Sequence, residues 1–166
     1  MKSVGAGDGS QVNRIGIVPP EIVSQFSGLE VLQKMLNGEL PYPAISELIS
    51  MRLIEVAPGR VVFESMPSEK YYNPAGIAHG GYAMTLLDTS MGCAVYSTLG
   101  PGIRHTTLET KVNFVRPITV ATGRLRAIGT TMHTGKRTAT AEGRLVDNAG
   151  DLYAHSTTTM FLMPAG

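Results

Sequence analysis

The stretch Asn73-Pro-Ala-Gly76-Ile-Ala-His79-Gly80-Gly81-Tyr82-Ala-Met-Thr-Leu-Leu-Asp88-Thr-Ser-Met-Gly-Cys93-Ala-Val95 decides how this chain reads. From Gly80 on it is an almost unbroken apolar run of helical length, closed by Gly100-Pro101-Gly102. The run predicts a helix over about 80–99, apolar nearly all round and therefore enclosed by other elements. Three polar side chains interrupt this otherwise small and apolar segment: Asn73, His79 and Asp88. A carboxylate in such a helix is costly to bury without a partner, which marks Asp88 as a residue with a task. The paired glycines at the helix start let a ligand approach the backbone closely.

Working outward, helical spacing appears over 28–36 and again over 44–50, with Pro41-Tyr-Pro43 between them. The segments 52–57 and 60–66 read as a hairpin turning at Pro58-Gly59. Four strand-like runs follow the central helix, over 106–115, 119–131, 137–147 and 152–163. Short connections predict that these four are consecutive antiparallel neighbours. The pattern is α+β: an antiparallel sheet of about six strands wrapped round one long helix, with short helices in front. Residues 1–20, rich in Gly, Ser and Asp, read as a flexible arm, and 21–166 as a single domain.

Composition narrows the function. Apolar residues make up 43% of the 166, enough for a core, and the net charge of +1 gives no reason to expect nucleic acid. From Arg104 onward there are eight Lys and Arg against four acids, a balance suited to a polyanionic small ligand or simply to a solvated strand face. The single Cys93 allows no internal disulfide, and His105, His133 and His155 lack metal-ligand spacing, so no metal is expected. No signal-like or membrane-length apolar run is seen, and a cytoplasmic setting is expected. Ser90 and Ser97 lack the Gly-x-Ser-x-Gly setting of a nucleophilic serine.

Asn73-x-x-Gly76-x-x-His79-Gly80-Gly81, with Leu86-Leu87-Asp88 beyond, resembles the hotdog-fold acyl-CoA thioesterases, in particular the phenylacetic-acid-degradation (PaaI-type) branch. The likeness extends through Thr107-Leu-Glu-Thr-Lys-Val-Asn113-Phe-Val-Arg116-Pro117, Thr122-Gly123, His133-Thr-Gly135-Lys136 and the run from Ala154 to Thr159. The resemblance implies a hotdog fold, hydrolysis of an acyl-CoA thioester without a cofactor, and a homodimer or homotetramer. It implies Asp88 as general base or nucleophile, the Gly80 N–H as the group that polarises the carbonyl, and His79 and Asn73 as orienting groups. Some relatives of the other His-Gly-Gly branch carry Glu for this Asp and a Thr four residues later, where this chain has Gly92.

The chemistry is coherent without the family. A helix N-terminus offers free N–H groups and partial positive charge to a developing oxyanion. Gly80 and Asp88 lie eight residues apart, about 12 Å along one helix, too far to serve one carbonyl. The catalytic reading therefore predicts that Asp88 comes from a second, antiparallel copy. For the coenzyme, Gly81, Arg116, Thr134, Gly135, Lys136 and Arg137 are the candidate contacts, the cations facing its phosphates. Leu32, Met35, Ile45 and Leu48 are expected to cover the acyl pocket. The plainer alternatives are Asp88 as a buried acid bonded to Thr85 or to a loop, His79 as a residue that holds a loop, and Asn73 as a turn residue. At the level of function they are an acyl-CoA-binding protein without turnover, or an acyl-CoA hydratase or dehydratase on the same fold.

Overall fold

The computed structural model describes residues 14–164. Three short helices, α1 (Pro20–Gln25), α2 (Gly28–Leu36) and α3 (Ala44–Leu48), precede the hairpin of β1 (Met51–Ala57) and β2 (Arg60–Ser65). The long helix α4 (Gly80–Tyr96) follows, then β3 (Ile103–Phe114), β4 (Leu125–Thr134), β5 (Thr138–Asp147) and β6 (Leu152–Pro164). All six strands form one antiparallel sheet in the order β1-β2-β4-β5-β6-β3, curled about α4. This is the hotdog arrangement that the sequence predicts.

The helix lies on the sheet where the sheet has almost no side chains. Gly129 of β4 pairs with Gly143 of β5, which pairs with Ser156 of β6. A Cβ on Gly129 would fall inside the Ser90 carbonyl of α4. One on Gly143 would stand 2.6 Å from Ser156 Oγ and 3.0 Å from a Leu87 methyl. Glycine weakens a strand, and here it permits backbone-to-backbone approach. Around this seat Leu86, Leu87, Met91 and Val95 are fully buried against Val61, Leu125, Leu145 and Met160.

Several expectations are corrected. The four later strands are not consecutive neighbours: β3 pairs with β6 at the sheet edge, while β4 inserts between β2 and β5. The ten residues between β3 and β4 carry the chain across, through Pro117 and a 3-10 turn at Val120–Thr122. That turn, followed by Gly123 at φ 71°, delays β4 to Leu125. Helix α4 ends at Tyr96 rather than 99, because the Ser97 and Thr98 hydroxyls bond back to the Ala94 and Val95 carbonyls. Nor is α4 enclosed all round: Gly81 and Met84 are exposed and Thr85 and Asp88 half-buried, an i, i+3, i+4, i+7 stripe that the sheet leaves open. Of the expected arm, residues 1–13 lie outside the described residues. Arg14 and Gly16 are tied to Tyr42 by backbone hydrogen bonds, and Pro20 opens α1.

The glycine seat has a direct consequence. Gly129→Ala should cost at least about 3 kcal/mol, since backbone rather than a yielding side chain must move. Urea unfolding of this variant beside an Ala substitution at exposed Thr157 checks it.

Candidate active site

At the start of α4 the loop folds by local hydrogen bonds. Asn73 Oδ1 accepts from the Ala75 N–H at 2.9 Å, its carbonyl accepts from Gly76 N–H at 3.0 Å, and Gly76 adopts φ 75°. His79 is the N-cap of α4, and its Nδ1 accepts from the Gly81 N–H at 3.1 Å. An accepting Nδ1 leaves the proton of the neutral ring on Nε2, pointing a donor away from the helix. The Gly80 N–H has no partner among the described residues, as expected of an orphan donor in the first helical turn. Asn73, His79, Gly80, Phe114 and Arg116 line one recess of about 500 Å³. The Phe114 ring walls the helix start: a Cβ on Gly80 would lie 2.9 Å from its Cζ.

Asp88 sits two turns along, on the open stripe. Its Oδ1 accepts from Thr107 Oγ1 at 2.9 Å, and Oδ2 has no hydrogen-bond partner among the described residues. Thr85, one of the partners offered by the plainer reading, donates instead to the Gly81 carbonyl. Thr107 comes from β3, where a bulge between Thr107 and Glu109 changes the phase of the strand. Before it His105 and Thr107 face α4, at Gly92 and Asp88; beyond it Phe114 meets Gly80. One extra residue thus lets one strand serve both parts of the helix. In the sequence Thr107 has a place in the family-like stretch but no assigned role; its step along β3 opposite Asp88 becomes visible only with the strand in place.

The Asp88 charge is felt nearby. Burial pushes the Cys93 thiol up to about 12, and Asp88 adds to the rise, so this cysteine is an inert wall residue. Burial lowers the pKa of the His105 imidazole, and the negative charge of Asp88 partly opposes the shift. His105 packs against Tyr96 with ring centroids 5.6 Å apart.

The predicted coenzyme contacts separate into two groups. Arg116 belongs to the helix-start recess, where Asp151 pairs with it at 2.7 Å and raises its pKa further. Both partners are substantially exposed, so the pair leaves the guanidinium available to an anion. The Gly81 N–H is occupied by His79. Thr134, Gly135, Lys136 and Arg137 form the β4–β5 turn, with Thr134 Oγ1 2.9 Å from Thr98 Oγ1 beyond the other end of α4. Eighteen residues, about 27 Å of helical rise, separate Thr98 from Gly80. Within one protomer this turn does not reach the helix start. Of the expected acyl-pocket residues, Leu32 and Met35 line a second cavity beside Cys93 and His105. Ile45 and Leu48 do not: they are 41% and 69% exposed and border a separate recess with Tyr71, Tyr72 and His79.

Residues 75–154 match the family model described as the thioesterase superfamily. A phenylacetic acid degradation-related protein from Ralstonia eutropha superposes with a TM-score of 0.71 at 27% identity, over 78% of this chain and 98% of that one. The protein smu.793 from Streptococcus mutans, solved bound to acetyl-CoA, superposes with a TM-score of 0.63 at 27% identity, over 69% and 89%. The Saccharolobus solfataricus protein SSO2140, which carries a provisional esterase name, is 30% identical over 74 residues, 45% of this chain. The match spans about half of that relative, 52% of its length. The chain has the hotdog fold, and its residues 75–154, just under half of its length, carry the likeness to the thioesterase superfamily.

The half-buried His105 makes stability pH-dependent. Its folded pKa lies below its unfolded one, so its contribution is complete above about pH 6.5 and is lost progressively as pH falls from there through the lower folded value. The melting temperature should drop between pH 8 and pH 5, and His105→Gln should shrink that drop.

Proposed function

We propose that the protein hydrolyses acyl-CoA thioesters to the free acid and coenzyme A, at two equivalent sites each shared between the copies of a homodimer. The observation that carries this reading is the pairing of unspent groups on one helix: a Gly80 N–H without a partner and an Asp88 Oδ2 without one, about 12 Å apart. In an antiparallel pair of α4 helices, Gly80 of one copy faces Asp88 of the other. The open stripe of Gly81, Met84, Thr85 and Asp88 supplies the surface for that pairing. Strand β3 supports it: it is a twelve-residue edge strand with exposed Leu108 and Phe114, and such an edge is normally paired or protected.

The thioester oxygen lies at the Gly80 N–H, where the helix terminus favours developing negative charge. Asp88 of the other copy, held by Thr107, acts through Oδ2, as general base to a water or as nucleophile to the carbonyl carbon. Both routes form an oxyanion at Gly80, and its collapse breaks the carbon–sulfur bond and releases coenzyme A; the water supplies the acid's oxygen directly in the first route, and in the second a water then cleaves the acyl–Asp88 anhydride to free the acid and restore the carboxylate. The His79 Nε2–H is a second donor at the same helix start. Antiparallel pairing also accounts for the divided cations. It carries the partner's β4–β5 turn about 15 Å beyond the start of α4, so that the partner's Lys136 and Arg137 and the local Arg116 flank one entrance. No metal or cofactor takes part in these steps.

Asp88→Asn keeps shape and hydrogen bonding and removes the charge. Its kcat on the best acyl-CoA should fall by about 10² or more, followed as free-thiol release. A rate near wild type would reject the assignment.

A further inference from the structure

His105 is a half-buried polar side chain that the mechanism above leaves unused, and its surroundings place it beside Asp88. It stands on β3 two residues before Thr107, and both side chains face α4. Gly92 makes room for the ring: a Cβ there would lie 3.3 Å from His105 Nε2. Tyr96, one helical turn beyond Gly92, flanks the imidazole, and Asp88 lies one turn before it. The separation follows along both elements. On the helix, positions four apart have Cβ atoms about 5–6 Å apart. On the strand, residues two apart are about 6–7 Å apart. Thr107 already touches Asp88, with Oγ1 2.9 Å from Oδ1. Imidazole and carboxylate thus stand about 6 Å apart, too far for a direct hydrogen bond and the span of one bridging water.

Both groups are free for such a bridge. Asp88 Oδ2 and the His105 ring nitrogens have no hydrogen-bond partner among the described residues. None of them belongs to the unbonded atoms that are sealed from water, which are Ser46 Oγ, Tyr96 Oη, Arg126 Nε and Thr131 Oγ1. Water therefore reaches each of them. Thr89, Cys93 and His105 also line the cavity of about 440 Å³ beside α4, so this stretch opens on space rather than on packed side chains. Burial keeps the imidazole neutral at pH 7, and a neutral ring has one nitrogen that accepts. A water held by two acceptors turns both its hydrogens to them and its lone pair outward.

We infer that His105 positions the hydrolytic water, accepting a hydrogen bond from it while Asp88 Oδ2 of the same copy takes its other proton. This rests on the hydrolase reading above and deepens it by selecting the general-base route. The water oxygen bonds to the carbonyl carbon as its proton passes to Oδ2. Collapse of the oxyanion breaks the carbon–sulfur bond, and the proton on Oδ2 passes to the departing thiolate. The acid leaves with the second hydrogen and gives it up to solvent.

Two variants and a pH series test the inference. His105→Leu removes the acceptor, whereas His105→Gln keeps one and does not titrate. A ketone analogue of the best acyl-CoA, with a methylene between sulfur and carbonyl, reads binding without turnover. His105→Leu should lose about tenfold in kcat and bind the analogue within about twofold of wild type. His105→Gln should stay within about threefold of the wild-type kcat at pH 7. The other titratable groups around the ring are Cys93 and Tyr96 on α4, Arg104 beside it on β3 and Tyr42 across the cavity, and none of these changes charge between pH 7 and pH 5. Over that range the wild type loses rate as His105 takes up a proton, and His105→Gln does not. The ratio of the variant's kcat to that of the wild type should therefore rise about twofold or more on going from pH 7 to pH 5, while losses at Asp88 cancel. A merely structural histidine would leave that ratio flat. A flat ratio, or a folded His105→Leu with wild-type kcat, overturns the inference, and the ratio decides alone if His105→Leu does not fold. A wild type that releases no thiol from any acyl-CoA overturns the hydrolase reading and this inference with it. A wild type that hydrolyses while both variants match it at every pH overturns this inference alone.

Discussion

The seating of α4 on the Gly129–Gly143–Ser156 row is the constraint on which the rest depends. Side chains larger than these would lift the helix from the sheet and separate Asp88 from Thr107. With the helix flush, its apolar faces disappear into the curl of β2, β4, β5 and β6, and one stripe remains outside. Asp88 belongs to that stripe. It is held on one oxygen by Thr107 and left open on the other. The β3 bulge completes the arrangement, because the strand must meet Gly92 and Asp88 with one phase and Gly80 with the other.

Two electrostatic features of α4 are separated by its length. Its N-terminus concentrates free donors around Gly80, with His79 spending its Nδ1 on Gly81 and keeping Nε2–H for a ligand. Its middle carries a single carboxylate, set among half-buried neighbours whose own ionisation is suppressed: Cys93 stays a thiol and His105 tends to neutrality. In the proposed mechanism the two ends of this spacing serve as the carbonyl-binding end and the base, which two antiparallel copies can use and one cannot.

Much of this was legible in the sequence. The apolar run announced the helix, and His79-Gly80-Gly81 announced a helix start with open backbone. The β1–β2 hairpin was marked by Pro58-Gly59, and α2 by its spacing over Gly28–Leu36. The order of the strands was not legible: local pattern reports that a segment is extended, not which neighbour it takes, and the crossover from β3 to β4 reverses the simplest guess. Thr107 was hidden for the same reason, since its role exists only through the β3 register. Ile45 and Leu48 looked like pocket residues because their spacing is amphipathic, yet α3 turns that face outward. The open stripe on α4 escaped notice because Gly81, Met84 and Thr85 do not look polar enough to mark a surface.

The central claim is that each site takes Gly80 from one copy and Asp88 from another, and subunit complementation tests it most directly. Gly80→Pro removes the N–H at the first helical position, where proline is tolerated, and His79 at φ −57° and ψ 139° already has the backbone that precedes a proline. The Cβ it adds meets the far edge of the Phe114 ring, which is 55% exposed and has room to shift. Gly80→Pro and Asp88→Asn chains, each nearly inactive alone, are mixed by co-expression. In mixed dimers one of the two sites regains an intact Gly80 and an intact Asp88, so the mixture should recover about one quarter of the wild-type thiol-release rate. A mixture no more active than the two parents would place both groups in one protomer and contradict the account.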